Sequence, residues 1–165
     1  RLEPAPDKGT VVRQVVADME LVEPLYEFVA SHPARLQGTF DPKLVRLILS
    51  NLLSNAVKYS EPGSRIAVDL THDEAAGDAG RVRLSVADHG RGIPAKDQAH
   101  IFDFFHRASN SNGKDGMGVG LAVVKQAASA LGGAVTFEST EGVGTRFVIL
   151  LPLHVDQAGS PAAAD

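Results

Sequence analysis

The chain has 165 residues, 44% hydrophobic and 22% charged, a balance that suits one domain with its own core and argues against global disorder. A formal charge of −4 without any basic cluster removes the positive face that nucleic-acid binding needs, and the absence of Cys removes disulfides, thiolate zinc sites and cysteine nucleophiles. No apolar run approaches the roughly 20 residues of a membrane span and no signal-peptide pattern opens the chain, so cytoplasmic placement is expected, while a start at Arg1 rather than Met suggests a piece of a longer protein.

Residues 1–9 are interrupted by proline and read as extended. Thr10 can cap a helix over 11–21 that turns Val11, Val15, Val16 and Met19 to one side. Residues 25–31 and 35–40 read as short strands around His32-Pro33. Asp41-Pro42 is a strong helix start, because Asp accepts backbone N–H bonds and Pro suits the first turn. That helix runs to Ser60, with Leu44, Leu47, Ile48, Leu52 and Val57 as its core face, and stops near Glu61-Pro62-Gly63. Ile66, Val68 and Leu70 alternate as a strand, 75–80 turn, and Val82, Leu84 and Val86 alternate on a strand ending at Asp88. A short helix fits Ala95–Phe102, and 103–117, polar and aperiodic, reads as the kind of long loop that is usually functional or disordered. A helix over 119–131 ends at Gly132-Gly133. Val135–Ser139 and Arg146–Leu151 form a hairpin, and the tail from Val155 reads as disordered. The order predicts an α+β sandwich with a mixed, mostly antiparallel sheet and helices on one face.

Asn51, Asn55 and Lys58 lie at i, i+4 and i+7, one stripe of a strong helix. Asparagine is a poor helix former, so two of them one turn apart ask for a reason. An amide oxygen is a hard neutral ligand suited to Mg²⁺ that also takes phosphate oxygens, and Lys58 could reach a phosphate; a solvated polar face is the alternative. Asp88 shares the side of Val82, Leu84 and Val86 by the period of two. A buried carboxylate needs donors, and an adenine amino group would be one; a turn aspartate bonding its own backbone is the alternative. Gly90 and Gly92 beside it leave open space. Gly116-Met117-Gly118-Val119-Gly120-Leu121 leads straight into a helix, an arrangement that favours phosphate through backbone N–H groups and the helix dipole. It is neither a Walker loop nor a dinucleotide fingerprint. Gly142-Val143-Gly144-Thr145 adds another glycine cluster, a hairpin turn that could also line a pocket.

The order of these segments, with Ile101-Phe102-Asp103-Phe104-Phe105-His106-Arg107 between them, closely resembles the catalytic ATP-binding domain of sensor histidine kinases, in the Bergerat-fold superfamily shared with gyrase, chaperone and MutL ATPases. The resemblance covers about residues 1–153 and leaves 154–165 as a tail. It implies a two-layer α/β sandwich, ATP and Mg²⁺ as cofactors, and a protein histidine kinase as the parent. By similarity Asn51 and Asn55 face the triphosphate, with Asn55 the direct Mg²⁺ ligand, Lys58 touches phosphate and Tyr59 lines the nucleotide pocket. Asp88 accepts the adenine amino hydrogen, and Gly90 and Gly92 let the base approach. Phe102 and Phe105 anchor the base of an ATP lid over about 106–119, and Arg107 reaches the γ-phosphate; Phe104 has an ordinary core reading as well. Gly116, Gly118, Gly120 and Leu121 form the far end of the lid. Gly142, Gly144 and Thr145 close the adenine side.

Hydrolytic members of the superfamily carry Glu where this chain has Asn51, and an amide cannot take a proton from water at neutral pH. The resemblance therefore implies transfer to another acceptor. Of the six histidines only His72 is followed by acidic residues, Asp73-Glu74, and it lies at a strand end. The phospho-accepting histidine is expected on a helical dimerisation domain outside this chain, with a response regulator downstream. This piece is expected to be a monomer and the parent a homodimer, membrane-anchored if at all through other segments. The competing readings are an interaction module that binds no nucleotide and a hydrolytic clamp of the gyrase or chaperone type.

Overall fold

A computed structural model describes residues 8–33, 41–73, 81–104 and 120–152. The strand expected at 35–40, the lid and the tail lie outside the described residues. Three α-helices, α1 (Lys8–Val22), α2 (Pro42–Tyr59) and α3 (Gly120–Ala130), accompany strands β1 (Glu27–Ser31), β2 (Arg65–Asp73), β3 (Arg81–Asp88), β4 (Ala134–Thr140) and β5 (Gly144–Pro152). The five strands form one sheet in the order β1-β2-β3-β5-β4. β1 runs parallel to β2, and the other pairs are antiparallel. The parallel pair requires a crossover, and α2 is that crossover, so the helix bearing both asparagines is laid across the sheet by chain connectivity.

Ile66, Val68 and Leu70 of β2, Val82, Leu84 and Val86 of β3, and Phe147, Ile149 and Leu151 of β5 are buried on one side in a single cluster with the helices. The period-two alternation expected for β2 and β3 therefore holds. It breaks at Ser85 and Val148, register partners in the central strands that are buried on the opposite side.

Asp41 caps α2 as expected, Oδ1 accepting from Lys43 N at 2.9 Å, with Pro42 in the first turn. Its buried arc is wider than the sequence pattern suggested. Val45, Ile48, Leu49, Leu52, Leu53 and Ala56 are inside, while Leu47 is 41% exposed. A helix lying on a sheet and flanked by α1 and α3 buries two sides, and Leu47 falls on the remaining one. α1 begins before Thr10, so that residue is a helix-interior side chain accepting from Arg13 rather than a cap. The segment expected as a helix over 95–102 is a 3₁₀ helix, Ala95–His100. α3 ends in a Schellman motif: Gly133 N donates to Ala128 O, Gly132 N donates to Ser129 O, and Gly132 has φ 79°. No helix among the described residues is long and apolar enough to cross a membrane.

Candidate functional site

Asp88 ends β3 and is buried, with 9% of its surface exposed. Its Oδ1 accepts from Gly90 N at 2.9 Å and from Thr145 N at 3.3 Å. Among the described residues Oδ2 accepts nothing. Burial pushes the carboxyl pKa up, against the pull of those two backbone donors and of His89. The turn reading of Asp88 therefore holds for Oδ1, while among the described residues Oδ2 is left over.

Two glycines beside it are packed tightly against backbone. A Cβ on Gly90 would collide with the Tyr59 carbonyl, and one on Gly92, at φ 69°, with the Thr140 carbonyl. The open space expected beside these glycines is not found on the side where a Cβ would stand, which is filled by backbone. These contacts clamp the 88–92 segment between the end of α2 and the β4–β5 hairpin. Arg91 N donates to Tyr59 O at 3.0 Å, Gly142 N donates to Arg91 O at 2.6 Å, and the Arg91 guanidinium lies 4.7 Å over the Tyr59 ring. Gly144 completes the fit, since a Cβ there would meet the Asp88 carbonyl.

At the other end of the α2 stripe, Asn51 donates from Nδ2 to Leu47 O at 2.8 Å, which settles how an asparagine is tolerated mid-helix. Its Oδ1 faces Gly120 at the start of α3, 3.1 Å from where a Cβ would stand. Asn55 is half-buried, and its amide makes no hydrogen bond to a described residue; Lys58 is exposed. From Asn51 to Tyr59 is eight residues of helix, about 12 Å. One continuous stripe therefore joins the N-terminus of α3 to the Asp88 loop.

Thr145 pairs in register with Asp88 and with Ser139. Ser139 was not singled out from the sequence. Its Oγ accepts from Ile93 N at 2.8 Å and lies 2.8 Å from Thr145 Oγ1, while its carbonyl accepts from Gln98 Nε2 at 3.3 Å. The signal was present: Val135, Phe137 and Ser139 alternate to place a polar side chain on the core face, as Val86 and Asp88 do on β3. Tyr26 was missed as well. Its hydroxyl donates to Val57 O and Ser60 O, and nothing local in the sequence reveals that long-range cap.

Phe102 packs edge-on against Phe137 and Phe147, with centroids 5.8 and 6.4 Å away, so it joins the sheet face. Phe104 is 49% exposed, against its core reading. Leu121 packs against the core. Phe105, Arg107, Gly116 and Gly118 lie outside the described residues. His72 is exposed and pairs with Val82, six residues (88 minus 82) along β3 from Asp88, roughly 20 Å away.

Residues 40–155 match the family described as histidine kinase-, DNA gyrase B-, and HSP90-like ATPase. The sensor histidine kinase WalK of Bacillus subtilis (strain 168) is 35% identical over 136 residues, covering 79% of this chain and 21% of WalK. The adaptive-response sensory kinase SasA of Synechococcus sp. (strain JA-2-3B'a(2-13)) is 35% identical over 129 residues, covering 78% of this chain and 33% of SasA. The chain thus spans a third or less of these relatives. Among solved structures, the mycobacterial sensor histidine kinase MprB superposes with a TM-score of 0.80 at 28% identity, over 92% of this chain and 99% of that one. Full-length ShkA in complex with AMPPNP does so with a TM-score of 0.77 at 32% identity, over 94% of this chain and 32% of that one. With fold, sheet order and comparisons in agreement, the chain belongs to the histidine kinase-, DNA gyrase B- and HSP90-like ATPase family and carries the ATP-binding catalytic domain of the sensor histidine kinase type.

Proposed function

We propose that the chain binds Mg²⁺-ATP along the α2 stripe and presents the γ-phosphate to a histidine on a helical dimerisation domain of the same parent protein. The observation that carries this is the division of labour at Asp88: Oδ1 is spent on the fold and Oδ2 is not. A desolvated carboxylate with no donor on one oxygen among the described residues favours a ligand that brings an N–H, as the adenine amino group does. The triphosphate then runs toward the N-terminus of α3, where the helix dipole and the first-turn N–H groups favour phosphate. Tyr59 lines the pocket, Lys58 touches phosphate, and Arg107, Gly116 and Gly118 act from the lid, with Gly120 and Leu121 at its far end.

Asn55 is the residue that would hold Mg²⁺, with Asn51 beside it. The donor set fits: among the described residues the Asn55 amide has no partner, and Asn51 keeps its oxygen after giving its N–H₂ to Leu47. A bound Mg²⁺ supplies charge neutralisation at the β- and γ-phosphates. Asn51 has no basic atom with which to activate water, which supports transfer over hydrolysis. The parent would act with a response regulator and dimerise through its helical domain. This domain is expected to be a monomer in the cytoplasm.

The test incubates this chain with labelled Mg²⁺-ATP and an added histidine-bearing helical domain from a related kinase. Label on the histidine with little free phosphate is the expected outcome. Rapid phosphate release without transfer would favour the clamp-type ATPase, and no ATP binding at all would favour an interaction module.

A further inference from the structure

Asp88, Thr145 and Ser139 form one cross-strand row, Asp88 opposite Thr145 and Thr145 opposite Ser139. Ser139 Oγ has three polar neighbours: Ile93 N at 2.8 Å, Thr145 Oγ1 at 2.8 Å and Gly144 O at 3.2 Å. A serine hydroxyl has one proton and two lone pairs. The Ile93 N–H can only donate, so it takes a lone pair. The Gly144 carbonyl can only accept, so it takes the proton. One lone pair is left, and the bond to Thr145 must therefore run from the Thr145 hydroxyl to Ser139. The opposite assignment loses the bond to Gly144 and leaves the proton of Thr145, a residue 7% exposed, without a partner among the described residues. A buried donor left unmade costs more than a made bond contributes, so the first assignment wins.

We propose that Ser139 is a positioning residue: it draws the Thr145 proton away and fixes that hydroxyl as an acceptor beside Asp88, so that the floor of the base site rejects a purine carrying a carbonyl oxygen at its six-position. This rests on the adenine reading of Asp88. Two backbone donors beside the floor, Gly90 N and Thr145 N, are already spent on Asp88 Oδ1, so the floor has acceptors to offer and an amino group meets them. A six-carbonyl meets the same acceptors and finds no proton. Without Ser139 the Thr145 hydroxyl is free to rotate and donate to that carbonyl, which weakens the discrimination Asp88 sets up.

The probes are ATP and inosine triphosphate, which has a six-carbonyl and a proton on N1, bound in competition to the 165-residue chain. In Ser139→Ala the preference for ATP is expected to narrow about tenfold, chiefly through tighter inosine triphosphate binding. Ser139→Cys, with a thiol that accepts weakly, narrows it in part and serves if the alanine variant does not fold. Ser139→Thr keeps the hydroxyl and keeps the preference. In Thr145→Val no hydroxyl remains to turn, so adding Ser139→Ala leaves the ratio where Thr145→Val put it. An unchanged preference in both the Ala and Cys variants overturns the proposal. So does a narrowing that persists in the Thr145→Val background, which would mean a loosened hairpin. A wild-type chain that does not distinguish the two nucleotides sinks the reading of Asp88 itself, whereas a selective wild type matched by its Ser139 variants sinks only the role of Ser139.

Discussion

The Asp88 carboxylate is held where burial opposes its charge, and that conflict has a measurable sign. Its pKa is raised by burial despite two backbone donors and the neighbouring His89. An aspartate with a raised folded pKa binds its proton more tightly folded than unfolded. Its charge therefore costs stability above the raised pKa, and the cost is relieved as pH falls through that value. In Asp88→Asn the amide oxygen can still accept from Gly90 and Thr145, while the buried charge is gone. The variant is expected to melt higher than wild type at pH 7, with the gap closing as the pH drops through the carboxylate range. Its preference for ATP over GTP should be lost in the same protein, since the acceptor we propose for the base becomes a donor. A lower melting temperature at pH 7 would show that the carboxylate contributes to the fold beyond its hydrogen bonds. Asn55 admits a simpler check. Calorimetric titration of ATP into Asn55→Ala should give the same affinity with and without Mg²⁺, and a retained Mg²⁺ advantage would move the metal ligand elsewhere.

The end of α2 shows what an element contributes that its own sequence does not state. The last carbonyls of a helix lack internal partners, and here the Tyr26 hydroxyl, 31 and 34 residues away, takes the proton-accepting side of Val57 and Ser60. Burial raises the Tyr26 pKa, with Glu23 and Glu61 adding to it, so the phenol remains a donor through neutral pH. Tyr26→Phe should destabilise the chain by about 1 kcal/mol in urea denaturation, and an unchanged midpoint would mean that water replaces the bond at no cost. Such a contact was not legible, because it joins the α1–β1 turn to a helix end through tertiary packing. Local devices were legible: the Asp41-Pro42 start, the Gly132-Gly133 stop, and the period-two strands that place Asp88 inside. Where local chemistry and packing competed, packing won. Thr10 gave up its capping role because α1 starts earlier, and Leu47 lost its core place because α2 is covered on two sides. The resemblance proposed the site residues, but only the fold revealed that Gly90 and Gly92 are packed against backbone.

Across the whole molecule, the site gathers residues from Asn51 to Thr145, carried by three strands and two helices. The helix residues meet Asp88, Ser139 and Thr145 only once the sheet is assembled, so a nucleotide that needs both is expected to bind the folded form alone. ATP at a hundredfold over its dissociation constant should raise stability by about 2.7 kcal/mol, seen as a concentration-dependent rise in melting temperature that GTP does not match. A flat response to ATP would mean that the stripe and the Asp88 floor do not act on one ligand. The interlock of Gly92 with Thr140 and of Gly144 with Asp88 also bears on how such a domain can diverge. Main chain rests on main chain there, leaving no side-chain atoms to trim or enlarge, and even one added methyl would pry two loops apart. Retuning for another nucleotide must therefore proceed through the few side chains that line the seam, which makes Ser139 and Thr145 sensible first positions for directed evolution.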